Sequence, residues 1–176
     1  AVNSSIQINS NSASSTGTIY GIRFSGGTNV TQVANNNTVA GITVIGSATS
    51  FPSLVGIACT GGTNTLTINN NTIGSTTTAN SLTLAPSGTG TGSLTGILVS
   101  SGPSTVTTNG NTVANLTGNG TSTTGQVRGI VISTGTPTVN NNIVRNLLNS
   151  TAVTGTGSSS ALVGIVMTST TNPGSV

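Results

Sequence analysis

The 176-residue chain contains no aspartate, glutamate or histidine, and three cationic side chains, Arg23, Arg128 and Arg145. Lysine and tryptophan are absent, tyrosine occurs once and phenylalanine twice. General acid–base catalysis near neutrality draws on imidazole, carboxylate, amine or an activated thiol, and this inventory offers almost none of them. Two-carboxylate glycoside hydrolysis is excluded, and the many serines and threonines have no base to activate them. Hard cations favour carboxylates and transition metals favour His or Cys, so neither a metal site nor a cofactor is expected. The composition therefore predicts a non-enzyme with no catalytic residue.

A formal net charge of +3 comes from arginines scattered along the chain, whereas a nucleic-acid footprint needs a clustered basic patch. No nucleic-acid partner is expected. Cys59 is the sole cysteine, so no intrachain disulfide forms. It stands where other repeats carry Phe24, Val99, Ile132 and Met167, and reads as a small buried hydrophobe. No run of about 18 apolar residues is present, so no membrane span is expected. No signal peptide opens the sequence, yet a nearly charge-free Ser/Thr/Asn/Gly chain looks secreted. An extracellular or cell-surface location follows as an expectation, with Ala1 a mature N-terminus or the start of a fragment.

What the chain has is repetition. Gly-Ile recurs as Gly21-Ile22-Arg23-Phe24, Gly56-Ile57-Ala58-Cys59, Gly96-Ile97-Leu98-Val99, Gly129-Ile130-Val131-Ile132 and Gly164-Ile165-Val166-Met167. An Asn-centred tripeptide follows the first four: Asn35-Asn36-Asn37, Asn69-Asn70-Asn71, Asn109-Gly110-Asn111 and Asn140-Asn141-Asn142. From each glycine to the third residue of the Asn block the separation is 16, 15, 15 and 13 residues. From there to the next Gly-Ile it is 19, 25, 18 and 22. A near-constant frame alternates with an elastic half in which insertions collect as loops.

The frame reads as short strands. The Gly-Ile isoleucine and the residue two places later share one face, by the period-2 rule. After a Gly-rich turn, Thr65-Leu66-Thr67-Ile68 points Leu and Ile inward, and Thr105-Val106-Thr107 and Thr136-Pro137-Thr138-Val139 repeat that parity. Pro137 lacks a donor and makes the register of its coil the least secure. The Asn block turns the chain into a third short strand, beginning Thr38-Val39, Thr72-Ile73, Thr112-Val113 and Ile143-Val144.

Three short strands per repeat describe an all-β parallel β-helix solenoid of about five coils, stacked at about 4.8 Å with long Gly/Ser/Thr loops. A single domain over 1–176 is expected, with a half coil at 1–13, coils starting near 20, 55, 95 and 128, and a half coil at 163–176. Ile22, Ile57, Ile97, Ile130 and Ile165 form the expected inward column. Asn11, Asn37, Asn71, Asn111 and Asn142 form the expected ladder of amides, in which each side chain donates and accepts along the axis.

On these residues the sequence resembles the right-handed parallel β-helix (pectin-lyase-like) repeats, and in particular the Gly-Ile…Asn-Asn-Thr-Ile repeats of secreted bacterial surface proteins. The resemblance covers nearly the whole chain and implies architecture, not activity; relatives that cleave polysaccharides use carboxylates that are missing here. The coils are longer than the usual three-strand coil, and Gly41-Ile42-Thr43-Val44 offers a competing half-period alignment. A left-handed helix or a β-sandwich of hairpins is the competing topology.

Two functional classes stay open. Ile6-Gln7-Ile8-Asn9-Ser10-Asn11 matches Leu66 to Asn71, and Gly164 to Met167 supplies a first half-coil, so the ends look complementary. This predicts a structural subunit of a filament or surface fibre that assembles with itself head to tail, or a segment of a longer β-helix. Leu98, Val131 and Val166 form an expected outward apolar ridge, either a lateral contact or covered by loops. The alternative is binding to ice or to crystalline carbohydrate through the outward pairs Thr65/Thr67, Thr105/Thr107 and Thr136/Thr138, an array that breaks at Thr31/Val33 and Ser5/Gln7.

Overall fold

The computed structural model describes residues 6–10, 17–27, 29–62 and 64–169. Within them every strand pairing is parallel, and three sheets form, as in a parallel β-helix.

Sheet I carries the Gly-Ile blocks: β2 (Thr18–Phe24), β6 (Ser53–Thr60), β10 (Leu94–Ser101), β13 (Val127–Ile132) and β16 (Leu162–Met167). Its strands stack in chain order, each beside the equivalent strand of the next coil. Sheet II holds the Thr-rich strands β3 (Thr31–Asn35), β7 (Thr65–Asn69), β11 (Thr105–Asn109) and β14 (Thr136–Asn140). Leu66, Val106, Ile68 and Val139 point into the core between exposed or half-buried threonines, which is the alternation the residues demand.

Sheet III is longer than the sequence suggests. Its members are β1 (Ile6–Asn9), β4 (Thr38–Val39), β5 (Ile42–Gly46), β8 (Thr72–Gly74), β9 (Leu82–Pro86), β12 (Thr112–Gly118) and β15 (Ile143–Asn149). β12 and β15 run through a corner that the two earlier coils break into separate strands. There β4 and β8 align with the first half of β12, and β9 aligns with its second half. The corner is turned by Gly41, Asn80, Asn115 and Asn146, all at positive φ, and in the second coil Gly74 adds another ahead of the inserted loop. Gly41-Ile42-Thr43-Val44 is therefore no second Gly-Ile block; it enters the later half of sheet III, with Ile42 opposite Leu82.

One sequence alignment is corrected. Ile6-Gln7-Ile8-Asn9 pairs with Ile42-Thr43-Val44-Ile45 in sheet III, and so is not the equivalent of Leu66 to Asn69 in sheet II. Both segments alternate with period 2, and alternation fixes inside from outside without saying which face of the coil a strand occupies. Asn11 lies outside the described residues.

Pro137 sits in β14 with its register intact, opposite Val106. Thr136 donates its N–H to Ser104 O at 2.8 Å, so the next position aims away from β11 and the missing donor of Pro137 costs that pairing nothing. β14 is the edge of the described sheet II.

Candidate functional site

The interior is a set of aliphatic columns. Ile22, Ile57, Ile97, Ile130 and Ile165 are paired in unbroken register through sheet I. The middle three are fully buried, each stabilising the fold by roughly 1.5–3 kcal/mol, while Ile165 is 39% exposed and Ile22 half-buried. The glycine before each of the first four isoleucines is dictated by close approach. A Cβ on Gly96 would lie 2.4 Å from Val113 Cγ1 and 2.7 Å from Gly129 O of the next coil. Gly21, Gly56 and Gly129 meet the same two obstacles, an aliphatic of sheet III and the next carbonyl. Only hydrogen fits there.

The Asn blocks divide their labour. The middle residue takes the left-handed turn (Asn36, Asn70, Gly110 and Asn141, φ 54 to 66), which explains why Gly can replace Asn at that position alone. The third residue builds the ladder. Asn37 Nδ2 donates to Asn71 Oδ1 at 3.0 Å, Asn71 Nδ2 to Asn111 Oδ1 at 2.9 Å, and Asn111 Nδ2 to Asn142 Oδ1 at 2.9 Å. Each oxygen also accepts the preceding rung's backbone N–H, and Asn71, Asn111 and Asn142 donate further to Ala34 O, Ile68 O and Thr108 O. Amide after amide donates in one direction, so the ladder is polar along the axis.

On the outer face of sheet I, Leu98, Val131 and Val166 share a column with Arg23 and Ala58. Leu98 and Val166 are half-buried and Val131 is buried. Arg23 Nε donates to Thr60 Oγ1 of the next coil at 3.0 Å, with its guanidinium 4.8 Å from the centre of the Tyr20 ring. Arg128 Nε donates to Thr95 Oγ1 at 3.2 Å, and burial lowers its pKa. Both guanidiniums thus rest on hydroxyls and a ring of their own sheet. Arg23 stands third in its Gly-Ile block, the place that Leu98, Val131 and Val166 take in later coils, but the hydroxyl beneath each arginine is visible only in the fold.

Sheet II presents the threonines. Thr31, Thr65, Thr105 and Thr136 form one unbroken column, and Val33, Thr67, Thr107 and Thr138 form the next. Thr31, Thr105 and Thr136 are exposed, the other threonines half-buried. The break foreseen at Thr31/Val33 is confined to Val33. Beside them Asn35, Asn69, Asn109 and Asn140 make a third column, in which Asn69 and Asn109 backbone N–H groups donate to the preceding amide oxygen at 3.1 Å.

The ends of the stack differ from its middle. Ile6, Leu162 and Ile165 are 52, 45 and 39% exposed, in inward columns whose middle members are buried and whose far members, Leu147, Ile19 and Ile22, are half-buried. A cavity of about 320 Å³ opens beside β1 and β2, lined by Ile6, Tyr20, Gly21, Ile22, Val39 and Ile42. Among the described residues no helix is long and apolar enough to cross a membrane. Cys59 is buried, its Sγ 3.6 Å from the carbonyl oxygens of Gly61 and Ser101. No family model, curated protein or solved structure matches this chain.

Proposed function

We propose that this chain is a structural element of an extracellular filament or surface fibre, a β-helix whose stack continues along its own axis. The observation that carries this is the distribution of exposed apolar residues. Core-column side chains are buried in the middle of the described stack and lose cover toward its ends, where most are half-buried and Ile6, Leu162 and Ile165 are exposed. A surface of that kind is completed by another coil of the same design. The near absence of titratable groups suits a scaffold exposed to varied surroundings, and the kinship proposed is with right-handed, pectin-lyase-like repeats in secreted bacterial proteins. No catalytic role belongs to this reading. Negative-stain microscopy of the purified native material tests it: unbranched rods are expected, and monodisperse compact particles would overturn it.

A second reading is favoured by the four-threonine column beginning at Thr31. Hydroxyls repeating at about 4.8 Å between coils and about 6.6–7 Å along strands form a regular, uncharged array suited to ice or a crystalline polysaccharide. Inhibition of ice recrystallisation and co-sedimentation with cellulose or chitin measure it. Activity in either assay should vanish with Thr107→Lys, and inactivity at high protein concentration removes this reading.

A further inference from the structure

Asparagine followed by glycine occurs twice in the chain, at Asn109-Gly110 and Asn119-Gly120. Such a pair is prone to spontaneous loss of ammonia, because glycine has no Cβ to shield its N–H from the preceding side chain and leaves the backbone free to turn. A fold permits the reaction only where no carbonyl holds that N–H and the backbone can bring it onto the asparagine Cγ.

The two sites differ on both counts. Asn109 closes β11 and is paired with Asn69 on one side and Asn140 on the other. Gly110 donates its N–H to Asn140 O at 3.1 Å, so the nucleophile is bound into the next coil. Asn119 lies just past Gly118, the last residue of β12, in a loop tied down by its own N–H to Leu84 O at 2.8 Å. The following N–H, that of Gly120, has no hydrogen-bond partner among the described residues. Asn119 and Gly120 are both half-buried, so water reaches them. From the next coil, Ser150 Oγ donates to Asn119 Oδ1 at 3.2 Å, where it stabilises the negative charge that gathers on this oxygen during attack at Cγ.

The structure assigns a site of self-modification to Asn119. Hydroxide removes the Gly120 N–H proton, and the nitrogen attacks Asn119 Cγ. As that bond forms, the Cγ–Nδ2 bond breaks, and Nδ2 takes a proton from water and leaves as ammonia. A five-membered cyclic imide remains. Water then opens it: cleavage between the ring nitrogen and Cγ gives aspartate, and cleavage between that nitrogen and the backbone carbonyl carbon gives isoaspartate. Solvent supplies the base, since the chain has no Asp, Glu or His to do so, and the rate therefore rises with pH. The product carries the chain's first side-chain carboxylate, and the formal charge of +3 falls by one.

Folded protein is held in warm, mildly alkaline buffer beside a sample in concentrated urea. Both are digested and mapped by electron-transfer mass spectrometry, which separates aspartate from isoaspartate. In the folded chain Asn119 should convert at least about tenfold faster than Asn109, because Gly110 must first give up its bond to Asn140 O, and in urea the two rates should converge. Ser150→Ala should slow Asn119 about threefold, and Ser150→Thr, which keeps the hydroxyl, should restore the rate. Equal rates at the two sites in the folded chain, or an Asn119 that reacts only in urea, would overturn the assignment. A Ser150→Ala rate equal to or above that of the unaltered chain would overturn the part given to the Ser150 hydroxyl, since loss of a merely structural contact frees the loop and speeds the reaction.

Discussion

Asn71 and Asn111, 40 residues apart in the chain, are locked by two hydrogen bonds to one atom: Asn111 Oδ1 accepts Asn71 Nδ2 at 2.9 Å and Asn71 N–H at 3.0 Å. Both side chains are buried, so neither bond has a water substitute close by. Asn111→Ala should therefore lower unfolding free energy by about 3 kcal/mol, because it strands several buried donors and acceptors at once. Asn37→Ala, at the half-buried end of the ladder, should cost about 1 kcal/mol. Urea denaturation of the two variants measures the difference, and equal losses would contradict a ladder whose middle rungs matter most.

Gly96→Ala and Gly164→Ala should separate sharply, although both alter the same repeat position. A Cβ on Gly96 collides with Val113 and with the Gly129 carbonyl, whereas one on Gly164 meets nothing within 4 Å. The first substitution is expected to destabilise by about 3 kcal/mol and the second by no more than about 0.5 kcal/mol. Thermal melts of both proteins check it.

Thr108→Val should stabilise. Thr108 is fully buried in the column of Ala34, Ile68 and Val139, and its Oγ1 has no hydrogen-bond partner. Replacing that hydroxyl by a methyl group of similar shape should add about 1–2 kcal/mol. A loss of stability in the same melts would show that the hydroxyl is satisfied after all.

Stability should be flat from pH 2 to 8, since the chain has no Asp, Glu or His. Burial pushes the Cys59 thiol up, so the folded state favours its neutral form. A pKa raised on folding gives stability that is whole below the unfolded thiol range and is lost as pH rises through the folded value. A decline is therefore expected only above about pH 8.5, and Cys59→Ala should abolish it. Circular dichroism with denaturant titrations at pH 2, 7 and 10 measures this, and a cooperative acid transition would contradict it.

The parallel solenoid was legible because glycine, isoleucine and asparagine return at matching places in every coil. Strand parity and the donor–acceptor logic of the Asn ladder followed from residue chemistry alone. The later half of sheet III was not legible. Ile42, Leu82, Leu116 and Leu147 begin it, but the turn before them uses Gly41, Asn80, Asn115 or Asn146, single residues in a chain crowded with glycine and asparagine. The same ambiguity misplaced Ile6 to Asn9, whose alternation fits two faces equally well. Nor did the sequence show Arg23 and Arg128 lying along sheet I, because an arginine's reach depends on which hydroxyl the next coil brings beneath it.

Ladder bonds join residues 34, 40 and 31 positions apart in the chain, at nearly the same bond length. What one rung recognises is the next rung's amide, whatever the distance travelled to reach it. A duplication or loss of sequence that begins and ends at the Asn block therefore adds or removes one whole disc, about 4.8 Å of rod. Every surviving contact keeps its form. Such a gene can change the length of its product by recombination between its own repeats, and the loops between rungs are free to drift apart in sequence while remaining interchangeable in place.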